Sequence, residues 1–316
     1  MTNPEFTLAA LSLFRRQYET NEIYRRYANA LRRSPGAVST LEGIPFLPIS
    51  FFKTHRMISG NSASFEAVFT SSGTTGPDTS RHFVPDISVY EKSFREGFEA
   101  AYGPVEDWVI LALLPSYLER SGSSLVYMAE DLVKRSGRPE SGFFLYDHQA
   151  LADRLRALET RGQKTLLLGV TFALLDFAEA FPMPLKHTIL METGGMKGRK
   201  KELTRPEVQA ILKTAFSLPE IHSEYGMTEM LSQAYSKGEG IFQPSSTMRA
   251  LIREVSDPLS VSLSGTGAIN IMDLSNEESC AFLATEDIGR VYPDGSFEIL
   301  GRLDHSALRG CSLLTV

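Results

Sequence analysis

Apolar positions along the chain follow two periodicities that alternate. Residues 108–114, 165–170 and 187–191 are continuous apolar runs, rich in β-branched and aliphatic side chains and of strand length. Between them, apolar positions recur every three to four residues. Ile87, Tyr90, Phe94, Phe98 and Ala101 share one helical face, and Val208, Ile211, Leu212 and Ala215 share another behind Pro206. This alternation predicts an α/β protein, with sheets covered by helices. From about residue 260 the texture changes to short strands broken by turns. Pro293-Asp294-Gly295 reads as a hairpin turn between residues 289–292 and 296–300, so the last third is expected to be β-rich.

Composition narrows the possible functions. A chain of 316 residues, 42% hydrophobic and 22% charged, is ordinary for a soluble enzyme and long enough to bury a large core. Its net charge of -6 offers no general basic face. Nucleic acid is therefore not an expected partner, and a small anion needs a local site. The most apolar stretch, residues 166–175, falls well short of the roughly 20 residues of a membrane span. Residues 1–10 lack the pattern of an export signal, and the two cysteines, Cys280 and Cys311, form neither a disulfide framework nor a metal-binding spacing. Cytoplasmic residence is the expectation. No Pro/Ser-rich boundary divides the chain, so residues 1–302 are expected to form one unit and residues 303–316 a tail.

No Gly-Lys dipeptide occurs, which excludes a Walker A loop, and the G-x-G-x-x-G, G-x-S-x-G and H-E-x-x-H patterns are missing too. What does occur is Thr70-Ser71-Ser72-Gly73-Thr74-Thr75-Gly76, directly after the apolar Ala67-Val68-Phe69. Glycines let backbone N–H groups approach phosphate oxygens, and hydroxyls donate without adding fixed charge; a plain surface loop has the same composition. Four further segments follow in order: Glu192-Thr193-Gly194-Gly195, Glu224-Tyr225-Gly226-Met227-Thr228-Glu229, Thr285-Glu286-Asp287 and Gly301-Arg302-Leu303-Asp304. With the hydroxyl-rich loop, this ordered set resembles the signature of the adenylate-forming enzymes, the superfamily of acyl-CoA synthetases, adenylation domains and firefly luciferase.

The resemblance implies the large N-terminal domain of that superfamily and a site for ATP and Mg2+. By matching position, Ser71, Ser72, Gly73, Thr74, Thr75 and Gly76 would hold the phosphates. Gly194, Gly195, Tyr225 and Gly226 would border the adenine, Thr228 would contact the α-phosphate, and Glu229 would bind magnesium. Asp287 would take the ribose hydroxyls with Arg302 beside it. Such a site converts a carboxylate, a poor electrophile, into an acyl-adenylate whose AMP departs readily, by positioning and by neutralising phosphate charge.

Two departures from the superfamily narrow the expectation. The lysine usual after the loop is replaced by the run Pro77-Asp78-Thr79-Ser80-Arg81, and only 14 residues follow Arg302, so the usual mobile C-terminal lid domain and its lysine are not expected. Lys53, Arg81, Lys197 and Lys200 are the candidate cations for the α-phosphate. Residues 304–314, Ile44-Pro45-Phe46-Leu47-Pro48, Phe52-Lys53 and Ser80-Arg81 resemble the LuxE branch, the acyl-protein synthetases. There the acyl group passes to a cysteine near the C-terminus, matched here by Cys311, and on to a protein acceptor such as an acyl reductase or acyltransferase. A thiolate is strongly nucleophilic, and its thioester stays activated. Arg309 would favour the thiolate, whereas Cys280, in an apolar run, reads as core. The resemblance thus implies ATP-dependent activation of a carboxylic acid, a fatty acid by analogy, with capture on Cys311. A ligase that delivers to coenzyme A or a carrier thiol, and a silent nucleotide-binding subunit, are the alternatives. Residues 113–118 and 170–175 suit either an acyl tunnel or core, and His222 either an acyl-site group or a structural histidine.

Overall fold

The computed structural model describes residues 4–71, 79–114, 122–194 and 203–303. Among these residues, 13 strands join one sheet with two halves of different character. In the first, five strands run parallel in the spatial order Gly142–Phe143, Val109–Leu113, Thr165–Val170, Thr188–Thr193 and His222–Tyr225. Every residue of Val109–Leu113 and Thr165–Val170 is buried, because helices cover both faces and leave no side for polar alternation. The predicted strands at 108–114, 165–170 and 187–191 are these central ones.

The covering helices follow the expected pattern with one difference. Helix Ile87–Tyr102 starts where the Asp86 side chain accepts the Ser88 N–H (2.9 Å), and it buries Tyr90, Phe94 and Phe98. Helix Arg205–Phe216 opens with a capping box between Thr204 and Glu207. It buries Val208 and Leu212, but Ile211 is 43% exposed, and Gln209 and Phe216 are buried instead. Positions 208, 209, 212 and 216 form one stripe, and 211 lies beyond its edge. Residues 166–175 divide between strand Thr165–Val170 and helix Thr171–Ala180, and among the described residues no helix is long and apolar enough to cross a membrane.

Beyond His222–Tyr225 the pairing turns antiparallel through Ala234–Ser236, Ile241–Pro244, Phe297–Arg302, Phe282–Val291, Gly265–Asp273, Met248–Arg253 and Val261–Ser262, which makes the last third β-rich. The predicted hairpin exists, but its strands Phe282–Val291 and Phe297–Arg302 are longer than 289–292 and 296–300. The charged residues Glu286, Asp287 and Arg290 interrupt the apolar pattern while the ladder runs on to the Asp287–Arg302 pair. Two N-terminal helices, Pro4–Thr20 and Glu22–Ala30, cover this half, though the periodicity reading did not single them out. Phe14 and Tyr24 pack on Phe282. The buried Gln17 amide donates to the Asn276 and Glu277 carbonyls (both 2.9 Å) and accepts from the Ala281 N–H (3.0 Å).

The ladder between Phe282–Val291 and Phe297–Arg302 tolerates no side chain at Gly289, where a Cβ would stand 2.2 Å from the Glu298 carbonyl oxygen. Gly289→Ala is expected to lower the free energy of unfolding by about 1–3 kcal/mol through overpacking. In urea titrations Gly36→Ala, whose Cβ meets nothing within 4 Å, is expected to stay within about 0.5 kcal/mol of the parent.

Candidate active site

In open α/β sheets the carboxyl ends of the parallel strands form a natural ligand site. Thr188–Thr193 and His222–Tyr225 are paired neighbours, so Gly194 and the segment Gly226-Met227-Thr228-Glu229 emerge side by side. Asp287 and Arg302 reach the same place from the antiparallel half, where they lie opposite each other in register. The Tyr225 hydroxyl donates to Asp287 Oδ2 (2.9 Å) and joins the two halves. The Tyr225 ring itself is buried against Phe242 and Phe297, so its packing is that of core while its hydroxyl holds Asp287. Burial raises the Asp287 carboxyl above its usual range, opposed by the Tyr225 hydrogen bond and the charge of Arg302. Arg302 also pairs with Glu286 (3.3 Å).

The strands that flank the hydroxyl- and glycine-rich segment in sequence, Ala67–Thr70 and Arg81–Val84, pair antiparallel as a separate two-stranded sheet. The pairing is extended by the Ser71 N–H donating to the Ser80 carbonyl and the Ser80 N–H donating to Ser71 Oγ, both at 3.1 Å. Ser72, Gly73, Thr74, Thr75 and Gly76 lie outside the described residues, as do Gly195, Lys197, Lys200 and Cys311. Of the candidate cations, Lys53 acts on Glu229, whose buried carboxyl is raised by desolvation and pulled back by the Ser80 hydroxyl, Arg302 and Lys53. Arg81 is exposed, 6.0 Å from the Phe83 ring.

His82, which sequence reasoning missed, ties this small sheet to the Thr228-Glu229 segment. A carbonyl oxygen faces each ring nitrogen, that of Thr228 at Nδ1 (2.9 Å) and Asn276 Oδ1 at Nε2 (3.1 Å), and the neutral ring donates to one of them; Asn276 Nδ2 donates to the Glu229 carbonyl (2.8 Å). Burial drops the His82 pKa to about 4, so the ring is a neutral strut. The one available signal was its place directly after Ser80-Arg81.

Two buried glutamates sit on opposite faces of the strand ends. Glu192 accepts from Thr171 (2.8 Å) and Ser223 (2.9 Å) and pairs with Arg205 (3.3 Å). Arg205 also stands 5.0 Å from the Phe242 ring, and its charge reaches Asp287. Glu224, on the other face, accepts from Thr193, and burial raises its pKa to about 7. His222 accepts from or donates to the Tyr102 hydroxyl (3.1 Å), a structural contact, and burial lowers its pKa to about 4.

Glu229 is a carboxylate that could hold a magnesium ion, which binds through one or two carboxylates and completes its shell with phosphate oxygens and water.

Because the Glu224 pKa of about 7 lies above the ordinary 4.5 of a glutamate, its contribution to stability is fully present below about pH 4.5 and is lost as pH rises through about 7. Between about pH 5 and pH 8, Glu224→Gln is expected to lose less thermal stability than the parent. Parallel melting profiles of the two proteins against pH would contradict this.

Comparisons with known proteins bear on the family and the fold. The profile of the family "Acyl-protein synthetase, LuxE" matches residues 3–84. A long-chain-fatty-acid–luciferin-component ligase of Aliivibrio fischeri is 25% identical over 325 residues, covering 94% of this chain and 84% of the relative. The Photorhabdus luminescens ligase of the same name is 36% identical over 66 residues, 21% of this chain and 56% of that one. The fold matches the crystal structure of ATP-bound MatB from Rhodopseudomonas palustris with a TM-score of 0.58 at 16% identity, over 78% of this chain. It spans 49% of that enzyme's length. The chain is therefore similar to LuxE-type ligases and has a fold like part of MatB.

Proposed function

We propose that the protein activates a carboxylic acid with ATP and passes the acyl group to the Cys311 thiol for delivery to a protein acceptor. The observation that supports this most is the meeting of Glu229, Lys53, Arg302 and the Tyr225–Asp287 pair at the strand ends, in a fold shared with ATP-bound MatB. Fatty acids are the first acids to consider, from the names of the relatives. In this reading residues 1–302 form the acid-activating unit and residues 303–316 the tail that carries Cys311.

Each residue has a defined task. Asp287, fixed by Tyr225, accepts from the ribose hydroxyls, with Gly194, Gly195 and Gly226 bordering the adenine. Ser71, Ser72, Gly73, Thr74, Thr75 and Gly76 donate to the phosphates, and Thr228 orients the α-phosphate. Glu229 would hold Mg2+, which neutralises phosphate charge when bound. Lys53, whose charge acts on Glu229, is the preferred cation. A carboxylate oxygen of the acid attacks the α-phosphorus, and the bond to pyrophosphate breaks. The Cys311 thiolate then attacks the acyl carbon, and AMP leaves with the electrons of the cleaved C–O bond. Cys280 does not serve as this nucleophile: it is fully buried, and burial pushes its thiol up to about 12.

Intact-protein mass spectrometry after incubation with ATP, magnesium and a set of acids tests the assignment. The parent is expected to gain an acyl-sized mass that needs ATP, and Cys311→Ala is expected to lose this gain while still releasing pyrophosphate. Product formation on coenzyme A by Cys311→Ala at the parental rate would instead establish a ligase in which Cys311 is structural. ATP binding without pyrophosphate release for any acid would establish a silent subunit.

A further inference from the structure

Glu224 is a buried carboxylate with no cation paired to it among the described residues. Thr193 donates to its Oε2, and the groups that surround it are Tyr90 and Tyr102 from helix Ile87–Tyr102, Tyr235 from the paired strand, and the like charge of Glu192. The cations nearby are engaged elsewhere: Arg205 pairs with Glu192, and Lys237 stands 5.5 Å from the Tyr102 ring. Among the described residues no lysine or arginine forms an ion pair with Glu224.

Two further polar groups lie unpaired on the same face. Glu224 pairs with Tyr235 across the ladder, and Gln233 precedes Tyr235 by the two-residue step that keeps side chains on one face. Gln233 is 4% exposed and Tyr235 5% exposed, and neither the Gln233 side-chain oxygen nor the Tyr235 hydroxyl has a hydrogen-bond partner. The cluster packs against the active-site segment at Gly226. The position a Cβ would take on Gly226 lies 2.5 Å from Glu224 Oε1 and 3.6 Å from Gln233 Cγ. A side chain there would collide with the carboxylate, so glycine is what lets Glu224 Oε1 lie against the backbone two residues before Thr228.

We propose that Glu224, Gln233 and Tyr235 bind an ammonium group of the substrate, so that the acid activated is an amine-bearing carboxylic acid, an inference that rests on the acid-activation reading above. An ammonium has three N–H donors, and the three groups present three oxygens. An unsubstituted hydrocarbon chain would leave each of them buried and unpaired, whereas the ammonium supplies both the missing hydrogen bonds and the missing countercharge. The raised pKa of Glu224 agrees: it is what burial does to a carboxylate before its partner arrives.

Calorimetric titration tests this without turnover, with butanoate, octanoate and 3-phenylpropanoate, each against its 2-amino and 3-hydroxy derivative. At least one 2-amino acid is expected to bind at least tenfold more tightly than its parent and hydroxy acid. Glu224→Gln is expected to abolish that difference, and Tyr235→Phe, which removes only the hydroxyl, to weaken the amino acid severalfold. Binding near pH 7 is expected to release a proton, read from the dependence of the heat on the buffer. Equal or tighter binding of the parent or hydroxy acids, or no binding of any amino acid, would overturn the inference. Pyrophosphate exchange on the same samples separates the two proposals. Selective binding of an amino acid without exchange upholds the inference and overturns acid activation, whereas exchange with octanoate at least as fast as with the amino acids overturns the inference alone.

Discussion

The architecture depends on one change of direction at strand His222–Tyr225, which is paired parallel on one edge and antiparallel on the other. A parallel sheet collects the ends of its strands at one edge, where loops of widely separated sequence meet. An antiparallel sheet brings a hairpin back to its starting edge. Joined at this strand, they place Gly194 and Glu229 from one half beside Asp287 and Arg302 from the other. The Tyr225–Asp287 hydrogen bond is the direct link across the join.

Around that join the protein buries more carboxylates than a core normally holds, and each is managed differently. Glu192 has a guanidinium and two hydroxyls. Asp273, fully buried, accepts from the Leu231 N–H (2.6 Å) and the Ser232 N–H (3.1 Å), and so pins the backbone that follows Glu229. Asp287 and Glu229 are raised by burial yet border positive charge, an arrangement suited to taking up a ligand's hydroxyls or a cation. Among the described residues Glu224 has no paired cation, and Thr193 donates to it. Buried charge of this kind costs stability, and its concentration at one edge is the mark of a site shaped for ligands rather than for packing.

Much of this was legible in the sequence because it is local. The central strands are continuous apolar runs, helix Ile87–Tyr102 repeats its apolar residues at helical spacing, and Tyr225, Glu229, Asp287 and Arg302 sit in short ordered motifs. What was not legible depends on partners far along the chain. His82 matters through Thr228 and Asn276, 146 and 194 residues away, and nothing in the local sequence marks it as the strut between them. Arg205 reads as a helix-start residue until Glu192 is seen beside it. Tyr225 is readable as a pocket residue, but its ring packing on Phe242 and Phe297 and its hydrogen bond to Asp287 join residues up to 72 positions apart. Glu224 belongs to a recognised motif, but its lack of a cation is visible only when every neighbouring element is in place.

The central claim, that this edge activates a carboxylic acid with ATP, is tested most directly by acid-dependent isotope exchange between pyrophosphate and ATP. The account requires exchange that appears only when a carboxylic acid is present and that falls at least tenfold in both Asp287→Asn and Glu229→Gln, with each variant still folded. Exchange that is absent for every acid despite measurable ATP binding, or that is indifferent to both substitutions, would contradict it.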